Sequence, residues 1–270
     1  MRRTILPALF LILLFPLTSR AQQTSAPQVH KVSASGSSST QPAMTPLQMA
    51  ELRADILMAR KMYPEAIAAY ERLVKQEPKN AVVLNQLGVA YEQLSQYGPA
   101  ERYFKKAIKA DKTYVSAYNN VGTVEYSKRH YKNAIKWYEK TLKLRADMAT
   151  VYSNLGYAYF NEKQYPEAVA SFRTAIQIDP HSFQETGQSN GTIVQPRGVT
   201  DPGLFYFFVA RTYAQLGNAE RAAHYLKMAR DDGYEKFVSA KTDPAFAKVI
   251  KDPQVIAVFA PVPELADKRR

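Results

Sequence analysis

Residues 149–182 read ATVYSNLGYAYFNEKQYPEAVASFRTAIQIDPHS. Apolar and small side chains recur in it at intervals of three and four residues, first around Gly156 and again around Phe172. That interval is typical of helices with one buried face. Pro166 stands where a second helix would begin, and Pro180 stands where it would stop. The stretch therefore predicts an antiparallel pair of helices.

The same pattern returns every 34 residues along the chain. Four copies follow one another without a gap, at 47–80, 81–114, 115–148 and 149–182, and a looser fifth copy occupies 203–236. In the first four copies position 8 is small, position 17 is tyrosine and position 20 is alanine, while position 24 is always aromatic: Tyr70, Phe104, Tyr138 and Phe172. Small residues let the two helices of a unit approach closely, and the aromatic ring fills the space beside them.

The fourth copy carries a known signature. It reproduces the pattern W-x2-L-G-x2-Y…A-x3-F-x2-A…P, with Tyr152 in the tryptophan place, through Leu155-Gly156, Tyr159, Ala168, Phe172, Ala175 and Pro180. The chain thus resembles the tetratricopeptide repeat family, in the form of an exported bacterial-type protein. The resemblance covers residues 47–182 and implies an all-α solenoid of about five helix pairs in a right-handed superhelix. The first copy departs most, with Arg53 at position 7 and Leu57 at position 11.

The residues before the first copy predict an export signal and a tether. Arg2 and Arg3 precede an apolar run, and small residues favour cleavage after Ala21, so residues 1–21 are expected to be a signal peptide. An uncleaved membrane anchor is the alternative. Residues 22–46 are rich in Ser, Thr, Gln and Pro and predict a disordered linker. We therefore expect a periplasmic or secreted protein without a transmembrane span in the mature chain.

Two further segments interrupt or follow the repeats. Residues 183–202 form an insertion whose glycines and prolines predict a surface loop, with a small hairpin as the alternative. Asp243-Pro244 and Asp252-Pro253 each combine an N-cap residue with proline at the first helical position. Residues 237–270 are therefore expected to form capping helices and a loose tail.

The composition and the motifs argue against an enzyme. The 270 residues include no cysteine, which excludes thiol catalysis and Cys-ligated metals. The four histidines have neither i,i+4 spacing nor carboxylate partners at ligand spacing, and no phosphate-binding glycine loop is present, so we expect no metal and no cofactor. Gly187-Gln188-Ser189-Asn190-Gly191 matches the hydrolase pattern G-x-S-x-G, and Asp201 and His224 follow in the right order. The match lacks the strand and the helix that the motif needs.

The resemblance implies where a partner would bind. In this family the concave wall of the superhelix is formed by positions 2, 5, 9, 12 and 13 of each first helix. The candidate groove residues are Asn85, Val89, Glu92, Asn119, Thr123, Tyr126, Ser153, Tyr157, Phe160, Asn161, Phe207 and Arg211. Their aromatic and amide side chains suit an extended peptide or protein segment, although some of the rings could instead pack between repeats. The carboxylate clamp of the chaperone-binding members is absent, because Val89 stands at position 9 and only Asn120 and Asn154 agree with it.

A second candidate surface follows from the charge. The net formal charge is +12, and residues 101–145 hold twelve Lys or Arg against four acidic residues. Positions 22, 26 and 29 are basic in two successive copies, and we call these six residues the basic stripe: Arg102, Lys106, Lys109, Lys136, Lys140 and Lys143. An outward-facing stripe could bind an anionic envelope polymer or lipid headgroups, or simply be a solvated face. Nucleic acid is not expected as a partner of an exported chain.

Overall fold

The computed structural model describes residues 44–182 and 199–260, and all regular structure within them is helical. The α-helices are α1 (Pro46–Ala59), α2 (Tyr63–Gln76), α3 (Ala81–Gln93), α4 (Tyr97–Ala110), α5 (Val115–Ser127), α6 (Tyr131–Leu144), α7 (Ala149–Asn161), α8 (Tyr165–Ile178), α9 (Pro202–Gln215), α10 (Ala219–Asp231) and α11 (Pro253–Val258). Two 3-10 segments, η1 (Glu235–Lys241) and η2 (Pro244–Phe246), lie between α10 and α11. The predicted signal, the G-x-S-x-G pattern, most of the linker and insertion and the last ten residues lie outside the described residues.

Each predicted repeat holds one pair of helices. The first helices of the five units are α1, α3, α5, α7 and α9, and the second helices are α2, α4, α6, α8 and α10. From α1 to α10 each helix packs against the next one in the chain, which is the arrangement of a helix-pair solenoid. The predicted all-α solenoid is confirmed.

Close approach of the paired helices depends on the glycines at position 8. A Cβ atom built on Gly88 would lie 2.5 Å from a ring carbon of Phe104, and one on Gly122 would lie 2.6 Å from Tyr138. A Cβ atom on Gly156 would likewise collide with the ring of Phe172. All three rings are completely buried. In these three units the position 24 ring therefore occupies the space that a side chain at position 8 would need.

Each first helix is followed by a residue whose backbone is in the left-handed conformation. Position 15 has a positive φ in every unit: 59° at Lys61, 57° at Ser95, 64° at Arg129, 61° at Lys163 and 78° at Gly217. Only the fifth unit uses glycine there, the residue that adopts this conformation without a steric penalty. The tight turn to the second helix therefore carries backbone strain in four of the five units.

This strain predicts opposite effects for two matched substitutions. We expect Gly217→Ala to lower the free energy of unfolding by about 1 kcal/mol, and Lys163→Gly to raise it by roughly 0.5–1 kcal/mol. Urea unfolding of both variants measures the two effects. Shifts of the same sign would contradict the assigned turn geometry.

The C-terminal end of the solenoid is closed by the short elements after α10. Asp243 Oδ1 accepts a hydrogen bond from Ala245 N and Asp252 Oδ1 accepts one from Gln254 N, so both predicted N-caps are confirmed. Phe246 is fully buried against Phe207 of α9, and Arg230 of α10 donates to the carbonyl of Val258 in α11 at 2.9 Å. The sequence did not indicate η1.

Candidate functional site

The inner wall is the surface formed by positions 2, 5, 9, 12 and 13 of the first helices, and most of its predicted residues are buried. Eight of the twelve are at most 6% exposed: Asn85, Asn119, Thr123, Tyr126, Ser153, Tyr157, Phe160 and Phe207. Val89, Glu92, Asn161 and Arg211 are intermediate. The expectation that the eight present open surface is therefore wrong, and a role for them in binding stays a prediction.

Hydrogen bonds between units explain the buried amides. Asn120 Nδ2 donates to Asn85 Oδ1 at 2.9 Å, and Asn154 Nδ2 donates to Asn119 Oδ1 at 3.2 Å. Asn119 Nδ2 also donates to Asn120 Oδ1, which joins the two pairs. Position 5 of one unit thus bonds position 6 of the next, and an asparagine ladder connects α3, α5 and α7. A buried amide with such partners stabilises the stack.

Aromatic packing explains the buried rings of α7. The Tyr157 ring stacks on Phe205 of α9 with 5.1 Å between centroids, and its edge meets Phe172. The Phe160 ring contacts Phe205 and Phe208 of α9 edge to face at 5.5 and 6.0 Å. These rings therefore form the joint between the fourth and fifth units, which is the alternative that the sequence left open for the groove aromatics.

The C-terminal segment covers the inner wall of the fifth unit. Phe207 packs between Tyr234 and Phe246. Arg211 Nε lies 3.0 Å from Asp243 Oδ2 in an ion pair, and Lys248 Nζ donates to the carbonyl of Gln215. Neither Phe207 nor Arg211 is the open contact that the sequence predicted, because η2 and the residues around it pack on α9.

Unpartnered polar atoms concentrate on the inner wall. Among the described residues, the buried side-chain atoms without a hydrogen bond are Glu92 Oε2, Ser153 Oγ, Asn161 Oδ1, Arg211 Nε and Gln215 Oε1. They occupy positions 12, 5, 13, 9 and 13 of their units, all of them groove positions. Arg211 is still held by its ion pair with Asp243. Gln215 was not predicted as a site residue, although it shares position 13 with Asn161.

Glu92 is the acidic member of this set. Burial raises the pKa of its carboxyl to about 8, and Oε2 has no hydrogen-bond partner. The acid is therefore largely protonated at neutral pH, as expected for a carboxyl that is removed from water without a cation beside it.

The raised pKa predicts a pH dependence of stability. The unfolded chain loses the Glu92 proton near the ordinary pKa of about 4.3, so stability should be lost as the pH rises from there through the folded value of about 8. Glu92→Gln has no proton to lose and should be more stable than wild type by about 4 kcal/mol at pH 7 to 8. Urea unfolding across this range measures the difference, with the exposed Glu65→Gln as control. An equal gain at about pH 4 would contradict the assignment.

The basic stripe lies on α4 and α6, and all six of its residues are exposed, as predicted. None of them belongs to an ion pair among the described residues. Lys106 Nζ lies 4.8 Å from the centre of the Tyr103 ring, and Lys140 Nζ lies 4.2 Å from that of Trp137. Arg102 Cζ lies 5.7 Å from the centre of the Tyr103 ring, so aromatic faces hold three of the six cations in place.

The described residues offer little for catalysis. Asp201 Oδ1 accepts from Leu204 N as the N-cap of α9, and His224 lies exposed on α10. His130 Nδ1 lies 3.3 Å from Glu125 Oε2, so one histidine does have a carboxylate neighbour, contrary to the sequence prediction. No group of three or more His, Asp or Glu that could hold a metal occurs in 44–182 or 199–260.

In the same segments no helix combines the length and the apolar character needed to cross a membrane.

Comparisons with known proteins agree with the helix-pair architecture. Family profiles described as "Tetratricopeptide repeat" match residues 47–113 and 149–182, and a profile described as "TPR repeat" matches residues 122–163. A search of curated protein sequences gives no match.

Several solved structures are similar to this chain at low sequence identity. MamA 41-end from Desulfovibrio magneticus RS-1 is 18% identical with a TM-score of 0.50, over 72% of this chain and 99% of that one. Another MamA crystal structure is 22% identical with a TM-score of 0.48, over 70% and 93%. YrrB, described as a TPR protein with an unusual peptide-binding site, is 20% identical with a TM-score of 0.45, over 70% and 89%. The profile matches and the helix pairs of residues 46–178 together show that the chain is a member of the tetratricopeptide repeat family.

Proposed function

We propose that the chain is a non-enzymatic scaffold that holds an extended segment of a protein partner along its inner wall. The observation that carries this proposal is the position of the unpartnered polar atoms. Glu92, Ser153, Asn161 and Gln215 each have a buried oxygen without a hydrogen bond, and all four stand at groove positions. Such atoms are rare in native proteins because each one lowers stability by about 1–3 kcal/mol.

An extended peptide provides the missing partners. Its backbone N–H groups donate to the oxygens of Ser153, Asn161 and Gln215, and the protonated Glu92 carboxyl can donate to a backbone carbonyl. These residues lie on α3, α7 and α9, so a bound segment would run across several units. Binding requires local opening of the wall, because the atoms are buried in the free chain. The apolar run after Arg2 and Arg3 supports a location in the cell envelope or outside the cell.

Selection of peptides from a displayed random library tests this function. We expect binders whose affinity changes little between low and physiological salt, since uncharged groups dominate the contact. Glu92→Met combined with Gln215→Met removes both polar groups and should weaken them by about tenfold or more, which corresponds to about 1.4 kcal/mol. The control Lys136→Gln with Lys140→Gln should bind as wild type does. A larger loss in the lysine variant would contradict the proposal.

A second candidate function rests on the basic stripe. Its six cations are exposed and free of ion pairs among the described residues, and three of them lie over aromatic rings. This arrangement suits an anionic envelope polymer or lipid headgroups. Binding to vesicles with anionic lipid should weaken steeply with added salt, and should be lost when Lys106, Lys136 and Lys140 are replaced by glutamine. Vesicle binding that is insensitive to salt would exclude this candidate.

A further inference from the structure

The first helix, α1, exposes three large apolar side chains, and at two of their three positions the counterparts are buried in every other unit. Met49, Leu52 and Ile56 are 42%, 46% and 41% exposed and stand at positions 3, 6 and 10. Positions 3 and 10 of the later first helices are all buried: Val83, Ala117, Val151 and Phe205 at position 3, and Ala90, Val124, Ala158 and Thr212 at position 10. We call the three α1 residues the end patch.

The later units show what shape covers these positions. There, the second helix of the preceding unit packs against the first helix of the next, as α2 does on α3 and α4 on α5. The end patch is the corresponding surface of α1, and among the described residues no helix pair precedes it. At positions 3 and 10 its side chains, Met49 and Ile56, are larger than the Val and Ala that mostly hold these positions in the later units. A helix with an apolar stripe is therefore the shape that fits it.

The charged residues around the end patch indicate which charges a partner helix would carry. Arg53 and Arg60 follow Met49 and Ile56 by four residues, so they share a face with the end patch, and both are exposed without an ion pair among the described residues. The acidic residues of α1 are engaged within the domain, because Asp55 accepts from Tyr70 Oη and Glu51 from Asn80 Nδ2. The face is thus apolar with only cations left to be paired.

A second copy of the chain fits this face less well. Head-to-tail stacking would need an open C-terminal end, and that end is closed by η2 and α11. Pairing of two end patches would bring Arg53 and Arg60 of both copies to one small interface, where like charges oppose binding.

We propose that the end patch binds an amphipathic helix of a partner protein whose apolar stripe is flanked by acidic side chains. This surface is separate from the inner wall, so a partner can be held at both.

Two synthetic helical peptides test the proposal on the full chain. Both carry the same leucine stripe, one flanked by glutamates and the other by lysines, and fluorescence anisotropy reports binding. We expect the acidic peptide to bind at least about tenfold more tightly. Leu52→Ser with Ile56→Ser should reduce that binding by about tenfold or more, and Arg53→Gln with Arg60→Gln should remove the preference between the peptides.

Ile256→Ser is the matched control, because Ile256 is also exposed, at 55%, but lies on α11 at the other end of the solenoid. It should bind as wild type does. Equal binding of the two peptides, no loss in the serine variant, or no binding at about 100 μM would overturn the proposal. Sedimentation velocity supplies one more outcome: self-association that the serine variant abolishes would assign the end patch to a second copy instead.

Discussion

Replacing Phe160 by alanine is expected to lower the free energy of unfolding by about 3–5 kcal/mol. The ring is 3% exposed and contacts Tyr165, Phe205 and Phe208, so its removal leaves a cavity at the joint between the fourth and fifth units. Chemical unfolding followed by circular dichroism measures the loss. If the Phe160 ring instead lined an open binding groove, the substitution would chiefly weaken partner binding. The experiment therefore separates a packing role from a recognition role.

Val89→Ala is the control for Phe160→Ala. Val89 also stands on the inner wall but is only half-buried, and we expect it to change stability by less than about 1 kcal/mol. Similar small losses in both variants would mean that the Phe160 ring is open to solvent and available to a partner.

Gly156→Val is expected to lower stability by about 3 kcal/mol, the upper end of the usual effect of overpacking. A side chain at this position collides with the fully buried ring of Phe172, which is enclosed by the helix pair and cannot withdraw. Thermal unfolding provides the measurement.

Gly98→Val provides a close comparison, since Gly98 also lies in a helix of the solenoid, α4, but a Cβ there meets nothing within 4 Å. Its effect should stay within about 0.5 kcal/mol. Equal losses at the two glycines would show that helix propensity, rather than contact with the aromatic ring, sets the requirement at position 8.

The sequence predicted the units well because their packing is local. The period of 34 aligns Gly88, Gly122 and Gly156, and each meets a ring only 16 residues later in its own unit. The same holds for Asp243 and Asp252, whose capping bonds reach two residues along the chain. Such contacts follow from spacing, and so they can be derived from one repeat.

The burial and hydrogen bonding of the inner-wall residues could not be derived from one repeat. Burial of Tyr157 depends on Phe205, which follows a long insertion, and the cover on Arg211 comes from Asp243 in the capping segment. The asparagine ladder pairs residues 35 apart, and a family pattern that assigns position 5 to ligand binding does not indicate it. The unpartnered oxygen of Ser153 likewise depends on its neighbour, because position 6 of the fifth unit is Phe208 rather than asparagine.

Stability and peptide affinity of the Ser153→Ala variant, measured on one preparation, show whether the inner wall keeps unpaired polar atoms for a partner. The Ser153 side chain is fully buried, and its oxygen has no hydrogen bond, so we expect alanine to raise the free energy of unfolding by about 1 kcal/mol. We also expect a peptide selected on the wild-type chain to bind the variant about tenfold more weakly. A variant that is more stable and binds the peptide as tightly as wild type would contradict the claim that the inner wall keeps unpaired polar atoms for a partner.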